Sequence, residues 1–273
     1  MQERSSVARV ALVPAQRHAR ILQVLQGVGA ASVQGLAEAT GASLSTLRRD
    51  LEALEEAGFV ERSFGGARLR ARAMATLEPG QAVASHIRHD EKVAIGLAAA
   101  QAIEPHQAVL FDSSSTVLEA ARAVAARGIP LTAITNDLAI AQVIAASAAV
   151  KVVVIGGLLR AGSATLYGAP GEAFLAGISA DVALVGAHAV TVDGLSEATL
   201  EITPIKKAML RAARAIRVLA DHTKFREASV FRICGLEVVH EIVTDHAADE
   251  KTCAMLAEHG PQVRRAAPAE QTA

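Results

Sequence analysis

The sequence predicts a two-domain α/β protein: a small helical domain, then a doubly wound, mostly parallel sheet with helices on both faces. Three observations lead there. At 273 residues the chain is long enough for two domains of roughly 100–200 residues each. Up to Gly58 the apolar residues follow a helical period, whereas from Glu91 onward continuous apolar runs alternate with Ala-rich helical ones. Hydrophobic residues at 51% against 20% charged exclude a disordered or fibrous chain.

Composition narrows the function classes. No run of about 18 apolar residues is free of charge, and Arg4 and Arg9 followed by Pro14 do not make a signal peptide. The expectation is a soluble, cytoplasmic protein without a membrane partner. Aromatics at 3%, with no Trp and one Tyr, argue against a groove that stacks bases on rings. Cys234 and Cys253 are too few for a disulfide framework or a four-ligand zinc site. None of the nine His has H-E-x-x-H spacing and no G-x-S-x-G elbow occurs, so neither metal, cofactor nor catalytic constellation is expected. The net charge of −1 conceals an asymmetry, because residues 1–72 carry ten Arg and no Lys against seven Asp and Glu. An all-arginine excess at one end suits phosphates and base edges, which a planar guanidinium fork matches.

Taken in order, Pro14 opens a first helix with Ile21, Leu22, Leu25 and Val28 on one side, stopped by Gly27 and Gly29. Ser32 caps a short second helix carrying Val33, Leu36 and Ala37, which ends at Gly41. Ser43 caps a third, with Leu44, Leu47, Leu51 and Leu54 in helical register, ended by Gly58. Short helix, Gly-containing turn and second amphipathic helix make a helix-turn-helix. Phe59–Arg62, Gly65-Gly66 and Ala67–Leu69 then form a small hairpin, or wing. At about 100° per residue, an inward Leu47 leaves Ser45, Thr46, Arg48 and Arg49 outward near the helix N-terminus. That is the half which enters a major groove, and either arginine can grip guanine or neutralise a phosphate. Ser43 at the cap and Arg62 and Arg68 on the wing complete the DNA-facing set. Asp50 lies nearer the core and orients an arginine or helix one. A three-helix bundle for protein contact is the competing reading, which the Ser-Leu-Ser-Thr-Leu-Arg-Arg-Asp-Leu string and Gly-Gly wing disfavour.

The first domain spans residues 14–72. Residues 73–90 contain Pro79-Gly80 without a clear period and are expected as a linker. The second domain spans 91–260, and 261–273 are expected as a flexible tail. Strands are expected at 108–112, 131–135, 150–155, 181–186, 216–221 and 239–244, with helices at 91–103, 116–127, 137–147 and 201–214. In such a sheet ligands lie beyond the carboxyl ends of the strands. Those ends carry Asp112-Ser113-Ser114-Ser115-Thr116 leading into a helix, Thr135-Asn136, Gly156-Gly157 and Gly186-Ala187. Hydroxyls and free N–H groups at a helix N-terminus favour an anion, glycine lets a ligand approach, and Lys206 and Lys224 add positive charge. His188 and His222 stand at strand ends. Together these point to a polar, phosphorylated ligand.

Residues SVQGLAEATGASLSTLRRDLEALEEAGFVERSFGGA, then FDSSST, ITND, VIGGLLR, LVGAHAV, PIKKAML and LADHTKF, resemble the DeoR family of bacterial transcriptional regulators over nearly the whole chain. The resemblance implies a winged helix-turn-helix followed by a sensor domain similar in fold to ribose-5-phosphate isomerase. It implies a homo-oligomer, dimer or tetramer, that binds double-stranded operator DNA and is released by a phosphorylated sugar. It places effector contacts at Asp112, Ser113, Ser115, Thr116, Asn136, Gly156, Gly157, Gly186, Lys206 and Lys224, with Ser114 in the same loop. Ser114 stands where the family usually has glycine; a required positive φ would cost about 1 kcal/mol or reshape the loop. His188 replaces a frequent acidic residue. The alternative function is a sugar-phosphate isomerase-like enzyme with an appended helix-turn-helix, using Asp112, Glu201 and Lys206. Whether the regulator represses or activates, and which effector and operator it recognises, stay open at this level.

Overall fold

A computed structural model describes residues 12–70 and 80–268. The chain divides into two compact units, with the break between Ile87 and Arg88.

The first unit opens with helix α1 (Pro14–Val28), whose start is set by Pro14 and by Gln16 Oε1 accepting from Val13 N at 3.0 Å. It ends at Gly29, whose φ of 74° few residues but glycine adopt. Gly27 sits inside the helix rather than ending it, and Val28 is exposed rather than on the apolar side. Strand β1 (Ala30–Ser32) follows. Ser32 Oγ accepts from Gly35 N at 3.0 Å and so caps α2 (Val33–Thr40); Ser43 Oγ accepts from Thr46 N at 3.2 Å and caps α3 (Leu44–Glu56). The wing is β2 (Val60–Ser63) and β3 (Gly66–Leu69), with β1 added on the far side of β3. Ile21, Leu22, Leu25, Leu36, Leu47, Leu51 and Leu54 fill the core. Asp50 accepts from Arg17 Nε at 2.7 Å and Nη2 at 2.9 Å, and lies 3.1 Å from His18 Nε2. It therefore ties α3 to α1, the structural role read from its inward position.

The expected linker is structured in its second half. Residues 71–79 lie outside the described residues, but Gln81–Ala84 is a helical turn, and Val83 and Ile87 pack on the first unit's core. Their i, i+4 spacing supplies the apolar face that a linker lacks. The next helix already begins at His89.

The second unit contains β4 (Ala108–Phe111), β5 (Leu131–Thr135), β6 (Val150–Val154), β7 (Leu158–Leu159), β8 (Leu166–Tyr167), β9 (Ala180–Gly186), β10 (Ala189–Thr191), β11 (Gly194–Glu197), β12 (Ala213–Leu219), β13 (Phe231–Cys234), β14 (Glu241–Asp245) and β15 (Gln262–Ala266). Seven strands form one parallel sheet in the order β15-β14-β12-β9-β4-β5-β6. Val109 and Phe111 join the core under helices His89–Gln101, Ser115–Arg127 and Leu138–Ala145, while Leu110 joins the opposite core under helices Ala169–Ala176 and Thr203–Arg211. This two-sided burial explains why the strands are continuously apolar. Helices His89–Gln101 and Ser115–Arg127 cross at Gly96, where a Cβ would stand 2.6 Å from Ala120 N.

Two features depart from expectation. The tail expected from 261 contains β15, paired in parallel with β14, because Val263 and Ala266 have sheet to pack on; residues 269–273 lie outside the described residues. An antiparallel ribbon β10-β11-β13 and the short pair β7-β8 add to the parallel sheet. From β4 the chain builds β5 and β6 to one side and β9, β12 and β14 to the other, so the winding reverses between β4 and β9. The crevice beyond the carboxyl ends of those two strands is where such sheets bind ligands. Among the described residues no helix is long and apolar enough to cross a membrane.

Candidate functional site

Two surfaces carry the polar residues singled out above. On α3, Ser43, Ser45, Arg48 and Arg49 are exposed and Thr46 is half-buried, while Leu47, Asp50, Leu51 and Leu54 face the core. The Ser43 hydroxyl lies 3.0 Å from that of Ser45 and 2.9 Å from that of Thr46, so the three hydroxyls form one cluster at the helix start. Among the described residues neither Arg48 nor Arg49 pairs with a carboxylate. The wing arginines differ: Arg62 Nη1 is 3.4 Å from Glu52 and 3.7 Å from Glu55, and Arg68 Nη2 is 2.9 Å from Glu61. Among the described residues, then, two guanidinium groups on α3 lack a carboxylate partner, whereas two on the wing are satisfied intramolecularly. Exposed pairs of that kind contribute about 0–1 kcal/mol, so they hold orientation more than stability.

The second surface is the β4/β9 crevice. Asp112, 1% exposed, accepts from Gly186 N at 3.0 Å and lies 3.0 Å from Lys206 Nζ. Lys206, on helix Thr203–Arg211 and 2% exposed, also donates to Gly186 O at 2.8 Å and to Glu197. Burial pushes the Lys206 pKa down, but Asp112 and Glu197 outweigh it and hold the ammonium above its ordinary range. Two buried carboxylates therefore share one buried cation. Ser113, Ser114 and Ser115 are half-buried and Thr116 is buried at the start of helix Ser115–Arg127. Ser114 Oγ caps that helix by accepting from Thr116 N at 3.2 Å. Its φ is −145°, extended backbone that any residue adopts, so serine in the usual glycine position is unstrained. Gly186 is the tight point instead: a Cβ there would run into the Ser114 side chain.

The remaining expected contacts spread along the same sheet edge. Asn136 is fully buried after β5; its Nδ2 donates to Leu166 O at 2.9 Å and its buried Oδ1 has no hydrogen-bond partner among the described residues. Gly156 and Gly157 follow the outermost strand β6 and are exposed, and a Cβ on Gly157 would strike the Tyr167 carbonyl. That close approach explains Gly157 through the β7-β8 pairing. Lys224 closes the turn His222–Lys224 beyond β12, where it and Lys92 hold Asp221 ionised against its burial.

Sequence reasoning missed Lys92 and Glu197. Lys92 is buried in helix His89–Gln101, and burial pulls its pKa down to about 8, with Asp221 opposing. Its signal was a lysine inside an Ala-rich apolar helix. Glu197 ends β11 and completes the Lys206 triad, whereas Glu201, the carboxylate singled out beforehand, is exposed. His188 is buried, and its carbonyl accepts from Arg226 Nη2 at 2.9 Å. Burial pushes the Cys234 thiol up to about 11, leaving a protonated, apolar neighbour rather than a nucleophile. Among the described residues no group of His, Cys, Asp or Glu is arranged to hold a metal.

His222 Nδ1 lies 2.8 Å from Asp245 Oδ2, and Asp245 Oδ1 accepts from His222 N at 2.7 Å. This hydrogen bond raises the His222 pKa above its ordinary 6.5, and it carries Asp245 below 3.8 despite burial. A raised histidine stabilises the fold below its unfolded pKa and loses that contribution as pH rises through the folded value; a depressed carboxylate loses its contribution as pH falls. The pair is therefore fully effective between about pH 4 and 6.5 and weakens on either side. His222→Gln should lower the melting temperature most near about pH 5.5 and little at about pH 8.5, read from melts across that range. A pH-independent difference would contradict the assignment.

The profile of the DeoR C-terminal sensor domain matches residues 87–246, and that of the DeoR-like helix-turn-helix domain matches residues 17–73. An uncharacterized HTH-type transcriptional regulator of Haemophilus influenzae is 29% identical, covering 90% of this chain and 95% of its own. The putative aga operon transcriptional repressor of Escherichia coli O157:H7 is 27% identical, covering 91% and 92% respectively. Among solved structures, ribose 5-phosphate isomerase A of Methanocaldococcus jannaschii aligns with a TM-score of 0.38 at 16% identity, over 50% of this chain and 55% of that one.

Proposed function

The chain belongs to the DeoR family of transcriptional regulators, and from that premise we propose that it is an operator-binding repressor of a carbohydrate-metabolism operon, released by a phosphorylated sugar. The observation that carries this reading is the coexistence, in one chain, of a helix whose Arg48 and Arg49 meet no carboxylate among the described residues and a polar cluster at the sheet's winding reversal. Ser43, Ser45, Thr46, Arg48 and Arg49 read the duplex, with Arg62 and Arg68 beside it on the wing. A homo-oligomer sets two such helices on two half-sites.

In the crevice the division of labour follows from charge. Asp112 and Glu197 already neutralise Lys206, so that triad offers little to a phosphate. It suits sugar hydroxyls, which can both donate and accept. The phosphate falls to the first turn of helix Ser115–Arg127, with Ser113, Ser114, Ser115 and Thr116 around it, and to Lys224. Asn136 offers its unpartnered Oδ1 to a hydroxyl. Gly156 and Gly157 flank the site from the β6 side.

Of the three residues the isomerase alternative would use, Glu201 is exposed while Asp112 and Lys206 are held in the triad with Glu197, and the two relatives above are named as transcriptional regulators.

The experiment is a gel shift with DNA from upstream of the protein's own gene, paired with a thermal-shift screen of phosphorylated sugars. A ligand at 100 times its Kd should stabilise the protein by about 2.7 kcal/mol and release the DNA. To switch anything it must bind the DNA-competent and DNA-incompetent states unequally. Stabilisation without release would sink the regulatory half of the proposal, and absence of any sequence-specific shift would sink all of it.

A further inference from the structure

Phe64 occupies the tip of the wing at 111% relative exposure, the most exposed large apolar side chain among the described residues of a chain with six Phe. A folded protein gains nothing from an aromatic ring held wholly in water. The turn that presents it is nevertheless tightly built. Ser63 pairs with Gly66 across the hairpin, and Gly65 takes a φ of 84°. Val33 N donates to Gly65 O at 2.9 Å, anchoring the tip to the start of α2. Gly66 admits no side chain, because a Cβ would stand 2.6 Å from Ala31 O. The ring is thus offered to solvent from a fixed platform.

Both arginines within the two wing strands are engaged, Arg62 by Glu52 and Glu55 and Arg68 by Glu61, while Arg70 is exposed just beyond β3. A wing built to neutralise phosphates would leave them free, as Arg48 and Arg49 are on α3. We propose that Phe64 is an apolar wedge that enters the minor groove beside the major groove read by α3, partly unstacks one base step, and makes the wing a reader of DNA deformability. This rests on the reading of α3 as the DNA-binding helix. The chemistry fits: an apolar side chain gains little at a phosphate, whereas insertion at a base step buries its ring and kinks the duplex. A rigid turn keeps the ordering cost of insertion low. Steps that unstack easily, such as TA and CA/TG, should be favoured where the wing lands.

The test uses full-length protein and the DNA fragment that the wild type protects from nuclease, with Phe64→Ala, Phe64→Leu and Arg49→Ala compared. Phe64 touches no core, so each variant should melt with the wild type. Phe64→Ala is expected to weaken binding about tenfold or more and to reduce DNA bending measured by end-to-end energy transfer. It should also abolish the fluorescence rise of 2-aminopurine at the contacted step, while leaving the slope of log K against log salt unchanged. Phe64→Leu should keep most of the bend. The inference is overturned if Phe64→Ala binds and bends DNA like the wild type, or if its weakening follows from loss of oligomer in sedimentation. If Arg49→Ala loses binding while Phe64→Ala does not, the wedge alone fails. If the wild type binds no DNA, both readings fall together.

Discussion

Lys206→Met is expected to cost the C-terminal unit about 3–5 kcal/mol, measured by urea denaturation, because it strands two buried carboxylates. Asp112 and Glu197 are 1% and 4% exposed, and both meet the same ammonium. With the cation gone, neither can stay ionised cheaply in that environment, so their pKa values should rise. A carboxylate whose folded pKa is raised gains stability as pH falls, so the deficit should shrink toward acid, opposite to the trend expected of a depressed carboxylate. Adding Glu197→Gln should recover part of the loss, since one stranded charge disappears. A variant within about 1 kcal/mol of the wild type, with no pH trend, would mean that water or rearrangement solvates the carboxylates and that the triad is not a unit. The same geometry makes Lys206 a poor probe of effector contact, because a failed response would report unfolding as readily as lost binding. Lys224, half-buried in a surface turn, is the cleaner choice, because Lys92 still offsets the charge of Asp221 when it is removed: Lys224→Ala should keep operator affinity and blunt release.

The triad also marks where sequence reasoning stops. Caps were legible because one residue and its near neighbours write them: Ser32, Ser43 and Gly41 each do locally what their type dictates. The parallel strands were legible for the same kind of reason, since burial on both faces leaves an unbroken apolar run. β1 and β15 were not, because three residues or an edge strand have no period of their own and exist by pairing with β3 and β14. Glu197 could not be told from Glu201 because both lie shortly before Lys206 on the chain. The β10-β11-β13 ribbon decides the matter by carrying Glu197 to the lysine. Lys92 is the same lesson on a helix: its partner Asp221 lies far along the sequence, beyond β12. The position of Ser114 shows the converse, in that a family-typical glycine signals a backbone requirement which this loop, with φ at −145°, does not have.

Arg49→Ala is expected to abolish the operator shift at physiological salt while leaving effector-induced thermal stabilisation intact. Arg49 and Arg48 are exposed on a helix whose other face is pinned by Leu47, Leu51 and the Asp50–Arg17 pair, so their removal leaves the fold unaffected. An arginine gripping guanine accounts for about 1–3 kcal/mol of discrimination at one half-site. If the proposed homo-oligomer sets two such helices on two half-sites, the loss counts twice, about 2–6 kcal/mol, enough to take specific binding toward nonspecific affinity. Salt dependence tells the two arginines apart. If Arg49 reads a base, its loss lowers specific affinity with little change in the salt slope; if it holds a phosphate, binding falls alike on all sequences and the slope drops by about 0.9 per site. Arg62→Ala and Arg68→Ala should do far less, because each guanidinium must first leave its carboxylate before it can meet DNA. An Arg49→Ala protein that shifts the operator normally would remove α3 as the reading helix, and with it the reason to place either groove contact.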